Sequence, residues 1–265
     1  MAFEELKQRQ GIVWGAAPFE VCAETISDVH RAVVEAVGDA DEKRWLDVAC
    51  GTGGVTELAA AGGAEVTGID LAPALIETAK HRAADKGLEI DYRVGDAENL
   101  DVGDADFDVV TSTFGVMFAP DQGRAAAELA RVTRSGGTLA LSTWIPDGGV
   151  GAMFQMLLPF QPPLPEGAGA PLDWGRPEHV TALLGDAFDL SFEPRTSTDT
   201  SESGESMWQF YVDNFGPVKT LAGMLDDDRR EELHRTWVDF FETNYRSDGS
   251  IEYVREWLLV TGTRR

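Results

Sequence analysis

Cysteine is nearly absent: 265 residues contain only Cys22 and Cys50. Two thiols, one of them inside a glycine turn, make neither a disulfide framework nor a cysteine metal cluster, so no metal is expected. Lysine is almost as scarce, with five (Lys7, Lys43, Lys80, Lys86, Lys219) among the 22 basic residues. Against them stand 46 Asp and Glu, for a net charge of −24. A surface of that sign repels phosphate backbones and anionic lipid headgroups, so neither nucleic acid nor a membrane is an expected partner. Scarce lysine with abundant acid is similar to proteins of salt-loving microbes; an ordinary acidic enzyme reads the same way. No run approaches the ~18 apolar residues that cross a bilayer, and the polar N-terminus does not read as a signal peptide, so a cytoplasmic location is expected.

What is present is a globular composition, 43% hydrophobic, and enough chain for one domain with a full core. The most informative stretch is Leu46-Asp47-Val48-Ala49-Cys50-Gly51-Thr52-Gly53-Gly54. It reads as a buried strand, a tight glycine turn and the start of a helix, where small residues and free N–H groups let a ligand approach backbone. No lysine follows the glycines, so this is not a P-loop. The dinucleotide fingerprint needs a third glycine where Thr56 stands. The acid before the turn would repel a pyrophosphate but suits a ligand with a positive amine or sulfonium.

Two further acids end two further strands. Glu65–Asp70 is a short apolar strand, and Asp70 lies about 20 residues past the glycine turn, the spacing of an acid that accepts from ribose hydroxyls. Leu71 then offers an apolar face for a base. Helix capping is the alternative role for Asp70, since Pro73 opens a helix to about Lys86. Ile90–Val94 is the third strand and runs into Gly95-Asp96-Ala97-Glu98. A fourth strand spans Phe107–Phe114. A helix from Asp121 to Arg134, a Ser135-Gly136-Gly137 turn and a fifth strand, Thr138–Trp144, follow.

The Asp47-x-x-Cys50-Gly51-Thr52-Gly53 motif, with Asp70 and Asp96 at the next two strand ends, resembles the class I methyltransferases that use S-adenosylmethionine, in particular the small-molecule group that includes ubiquinone- and menaquinone-biosynthesis enzymes. The resemblance covers about Arg44 to Trp144. It implies a doubly wound α/β fold: a mostly parallel, Rossmann-like sheet of seven strands, with helical additions at the N-terminus and between the last strands. It implies that Asp47, Ala49, Cys50, Gly51, Thr52, Gly53, Asp70, Leu71, Asp96, Ala97, Glu98 and Thr113 bind S-adenosyl-L-methionine. Asp96 would take the adenine amine, the Ala97 N–H a ring nitrogen, and the Thr113 carbonyl the amine of the methionine part. The implied activity is in-line methyl transfer to a small, partly hydrophobic acceptor. A S-adenosylmethionine-binding protein without transferase activity and an NAD-dependent oxidoreductase are the alternatives. The Asn/Asp-Pro-Pro-Tyr motif typical of methyltransferases acting on base amino groups is missing.

The chain outside this core divides into an N-terminal segment, 1–41, expected to act as a lid, and a segment 146–265, expected to carry a cover loop, a helical insertion and the closing antiparallel strands. Gly11–Phe19 reads as a loop with two aromatics, before a helix that carries Val29, Val33, Val34 and Val37. Residues 146–171 read as irregular, with a short apolar piece at Met153–Leu158. A helix over Pro177–Leu184, a strand over Phe188–Thr200, helices over Ser206–Leu225 and Asp226–Tyr245, and a last strand over Tyr253–Thr263 complete the expectation. Trp14, Met117, Phe118 and Trp144 are candidates for the acceptor pocket. No catalytic base is identified; His179 is the histidine placed to approach the pocket from the cover.

Overall fold

Strand β1 (Arg44–Val48) sets the centre of the molecule: Trp45, Leu46, Asp47 and Val48 are all buried. A strand buried on both faces belongs in the middle of a parallel sheet. The computed structural model, which describes residues 3–265, places it there. Strand β1 pairs in parallel with β2 (Glu65–Asp70) on one side and β4 (Phe107–Thr113) on the other. Outside these lie β3 (Ile90–Val94) and β5 (Thr133–Trp144), also parallel. The long β8 (Ser250–Arg264) runs antiparallel between β5 and β6 (Phe188–Ser201), and the two-residue β7 (Arg246–Ser247) hairpins onto it. The order is β3-β2-β1-β4-β5-β8-β6, the expected seven strands plus β7.

Helices α3 (Ser27–Val37) and α4 (Gly54–Ala61) pack on each other, α3 also on β4 and β5, and α5 (Pro73–Asp85) packs on β2 and β3. Helix α6 (Gln122–Val132) packs on β4, β5 and α8 (Pro177–Leu184). Because β1, β2, β4 and β5 are parallel, the ends that carry Asp47, Asp70, Thr113 and Trp144 share one edge of the sheet.

Four expectations are corrected. Gly11–Trp14 is not loop but the end of α1 (Glu4–Trp14), and α2 (Phe19–Glu24) begins at the second aromatic. Gly11 is tolerated in α1 because the helix presses on Leu71: a Cβ there would sit 3.0 Å from the Leu71 carbonyl oxygen. Within 146–171 a nine-residue helix, α7 (Gly149–Leu157), has formed. The helix expected over Ser206–Leu225 is two, α9 (Gly204–Asn214) and α10 (Gly216–Met224), broken where Pro217 has no N–H to continue the ladder. The Ser135-Gly136-Gly137 turn is absorbed into β5, where the β4 register shifts between Phe107 and Val109 and Gly136 takes a φ of 74°. The last long helix, α11 (Asp227–Asn244), starts at the Asp226 cap, which accepts from the Arg229 N–H.

Candidate active site

The glycine turn after β1 is held by its neighbours. Gly53 takes a φ of 94°, and a Cβ on it would run into the Tyr92 hydroxyl and Thr56. Two non-glycine residues, Ala49 (φ 55°) and Phe114 (φ 51°), hold left-handed backbone at the ends of the adjacent strands β1 and β4. Such conformations cost of order 1–3 kcal/mol each and persist where the surroundings impose them, commonly at functional sites.

Between these ends and the helices above opens one cavity of about 1460 Å³, counting the solvent in its mouth. One side is rimmed by carboxylates. Asp47 is fully buried and oriented by a relay: the Trp45 indole N–H donates to Thr111 Oγ1 at 2.9 Å, and the Thr111 hydroxyl donates to Asp47 Oδ1 at 2.8 Å. Among the described residues no cation pairs with it, and burial pushes its carboxyl up to about 7. Asp70 accepts the Gly51 N–H on one oxygen and the Ala72 N–H on the other, both at 2.8 Å. The capping and rim roles therefore coincide, since each oxygen keeps a second lone pair. Burial makes its carboxyl a weaker acid than usual, in spite of these bonds. Asp96 accepts the Glu98 N–H at 2.9 Å and the Lys7 ammonium at 2.6 Å.

The other side is aromatic. Phe114 and Trp144 stack with centroids 3.5 Å apart and planes 5° from parallel. Trp14, at the end of α1, meets Phe19, Phe118 and Phe215 edge-on at 5.6, 4.9 and 5.5 Å. Helix α7 contributes Val150, Met153 and Phe154 to the wall.

Of the residues expected at the cofactor, Asp47, Ala49, Cys50, Gly51, Thr52, Asp70, Leu71, Asp96, Ala97 and Thr113 line this cavity, as do Trp14, Phe118 and Trp144 from the expected acceptor pocket. Three lie off it. Gly53 shapes the turn behind the wall. Glu98 is buried and holds Lys7 Nζ at 2.9 Å and the Asp121 N–H at 2.7 Å, so its carboxylate is spent on structure. Met117 is fully buried in the core, in the short 3₁₀ turn after β4. His179 does not approach the pocket: it bonds the Gln122 side-chain oxygen at 2.7 Å on α6.

Several lining residues escaped sequence reading: Lys7 and Gln10 of α1, Cys22, His30, Tyr211 and Arg255. Lys7, Gln10 and Trp14 follow helical spacing, a signal that reading Gly11 as loop concealed. His30 packs against Gly54 at the head of α4, and burial holds its imidazole down at about 4, hence neutral. Burial pushes the Cys22 thiol up to about 12. No group of metal ligands occurs among the described residues, and none of their helices is long and apolar enough to cross a membrane.

The site fits a donor with a positive amine: among the described residues, Asp47 is a desolvated carboxyl without a cation and the buried Thr113 hydroxyl has no hydrogen-bond partner. Fold and cavity together match the nucleotide-binding α/β architecture, in which ligands lie across the C-terminal strand ends. A methyltransferase-domain family model matches residues 46–141. Over 256 residues the chain is 40% identical to the uncharacterised Mycobacterium tuberculosis protein Rv1403c, covering 95% of this chain and 93% of that one. A demethylmenaquinone methyltransferase of Renibacterium salmoninarum is 39% identical over 113 residues, 43% of this chain and 46% of that enzyme. The solved structure of the Bacillus halodurans protein BH2331 superposes with a TM-score of 0.63 at 18% identity, covering 88% of this chain and 97% of that one. The chain belongs to the class I, S-adenosylmethionine-dependent methyltransferases.

Proposed function

We propose that this methyltransferase acts on a small, partly hydrophobic molecule. The observation that carries the reading is the two-sided cavity: a carboxylate rim and an aromatic wall face one shared space. The bound donor supplies an activated methyl group, which an acceptor atom takes in line, releasing S-adenosylhomocysteine. Asp96 reads the adenine amine beside the Ala97 N–H, Asp70 holds the ribose, and Asp47 faces the amino-acid end. The stacked Phe114–Trp144 pair and the ring cluster around Trp14 exclude water, which favours a step that neutralises positive sulfur. Helix α1 and the turn after it act as the lid, closed by Lys7 over Asp96 and by Trp14 over the aromatic wall.

Nucleic acid and anionic membranes do not fit as partners of a chain with a net charge of −24. The test is transfer from methyl-tritiated S-adenosylmethionine in cell extract supplemented with the purified protein. Label is expected in a solvent-extractable fraction below the size of macromolecules. Label retained on protein or nucleic acid would refute a small-molecule acceptor.

A further inference from the structure

Two cations line the cavity among its described residues, and they are compensated differently. Lys7 is held by Asp96 at 2.6 Å and Glu98 at 2.9 Å. Arg255, on β8, is equally buried, yet the carboxylate nearest to it, Asp199, is 3.8 Å away. Its other partners are neutral oxygens: Nη1 donates to Thr25 Oγ1 at 3.0 Å, and Nη2 donates to the Thr25 carbonyl at 2.6 Å and to Ser197 Oγ at 3.0 Å. Among the described residues the Nε donor has no hydrogen-bond partner, and neither does Asp199 Oδ2. Burial raises the Asp199 carboxyl above its ordinary value, while Arg255 and the Thr200 N–H act to lower it. The single ion pair among the described residues, to Asp199, is long, so this buried charge is only partly compensated; such a charge is expensive, of the order of several kcal/mol, and a further anionic partner would offset that cost.

Its position says which partner. Trp144 on β5 pairs with Trp257 on β8, and Arg255 lies two residues, about 7 Å, past that rung on the same face of the strand. Trp257 in turn meets Phe114 edge-on at 6.3 Å, so Arg255 lies one same-face position beyond the aromatic wall, with its guanidinium held by Thr25 and Ser197. The Tyr211 phenol lies beside it, also in the cavity lining, and burial keeps that phenol protonated and able to donate. A cation and a phenol donor at the end of an apolar wall make a site for an anionic oxygen.

We propose that the acceptor carries an acidic oxygen group, a carboxylate or an ionised phenol, anchored by Arg255 and Tyr211 while its apolar body lies against Phe114 and Trp144. This rests on the small-molecule reading above and narrows it to acidic, ring-sized acceptors. The overall charge of −24 repels such a ligand, so the preference must come from this local cation, within a screening length of about 8 Å at physiological salt.

The test compares 2-naphthoate with its neutral isostere 2-naphthamide, by calorimetric titration into protein saturated with S-adenosylhomocysteine, at pH 7.5 and 0.15 M salt. The wild type should bind the acid at least ~10-fold more tightly than the amide. Arg255→Met should bring the two within ~2-fold while leaving S-adenosylhomocysteine affinity intact. Tyr211→Phe, which keeps the ring and therefore the packing, should cut the preference ~3-fold and serves if Arg255→Met does not fold. Equal binding of acid and amide by the wild type, or a folded Arg255→Met variant that still prefers the acid, overturns the proposal. Loss of small-molecule transfer with the acid preference intact would instead count against the methyl-transfer reading and leave the anchor standing. A phenol pair, 2-naphthol against naphthalene at pH 10, distinguishes the two acidic groups.

Discussion

A buried carboxyl without a cation is harder to ionise than a solvated one, and Asp47 is in that position. Desolvation lifts it to about 7 from an ordinary 3.8, against the one stabilising hydrogen bond from Thr111. A donor's positive amine favours the ionised form and lowers that value. Below pH 7 binding must therefore expel a proton, and affinity must climb with pH up to about 7 and level off above it. Titration calorimetry of S-adenosylhomocysteine at pH 6 in buffers of different ionisation enthalpy should show net proton release; proton uptake would remove Asp47 from the ligand's charged end. The same shift acts on the free protein with the opposite consequence. The Asp47 contribution to stability is complete below the unfolded value near 3.8 and is lost as pH rises through about 7. At this scale the sequence was most legible: Asp47, Asp70 and Asp96 stand at three successive strand ends, where an acid next to a glycine turn or after an apolar run is conspicuous. Arg255 and Tyr211 gave no local signal, since a charged residue on an alternating strand and a tyrosine among helical aromatics both read as ordinary surface and core.

Elements with strict periodicity were read nearly to the residue, as with β2, β3 and α8, because apolar spacing alone fixes them. Those misread owe their form to tertiary contact. Helix α1 carries a glycine, yet it forms because Gly11 lets it press on Leu71 and because Lys7 reaches two carboxylates. The α9–α10 break follows from Pro217, a local rule, applied where a continuous helix had been assumed. Lys7→Met tests the lid at this scale. Removing one partner from a buried ionic cluster costs about 3 kcal/mol or more and leaves Asp96 and Glu98 facing each other. Hydrogen exchange should lose protection over residues 4–14 in the variant, with little change in the central strands. Unchanged exchange in α1 would show that Trp14 packing alone holds it down.

For the whole molecule the dominant quantity is charge: 46 acidic side chains against 22 basic ones. Self-repulsion on that scale destabilises the compact state and is screened by salt, whose Debye length falls from about 30 Å at 0.01 M to 3 Å at 1 M. Thermal unfolding followed by circular dichroism should show a midpoint that rises by several degrees between those salt concentrations; a flat profile would mean the acidic groups are locally compensated. The parallel half of the sheet was readable because strands alternate with helical segments over about a hundred residues. How α7, α9 and β8 enclose the acceptor side was not, because that enclosure arises only when distant segments meet. The account as a whole stands on the carboxylate rim. A crystal structure grown with S-adenosylhomocysteine tests it most directly: the adenine amine should lie within hydrogen-bonding distance of Asp96, the ribose hydroxyls on Asp70, and the amino-acid end towards Asp47 and Thr113. A rim left empty, or the ligand bound elsewhere, would contradict it.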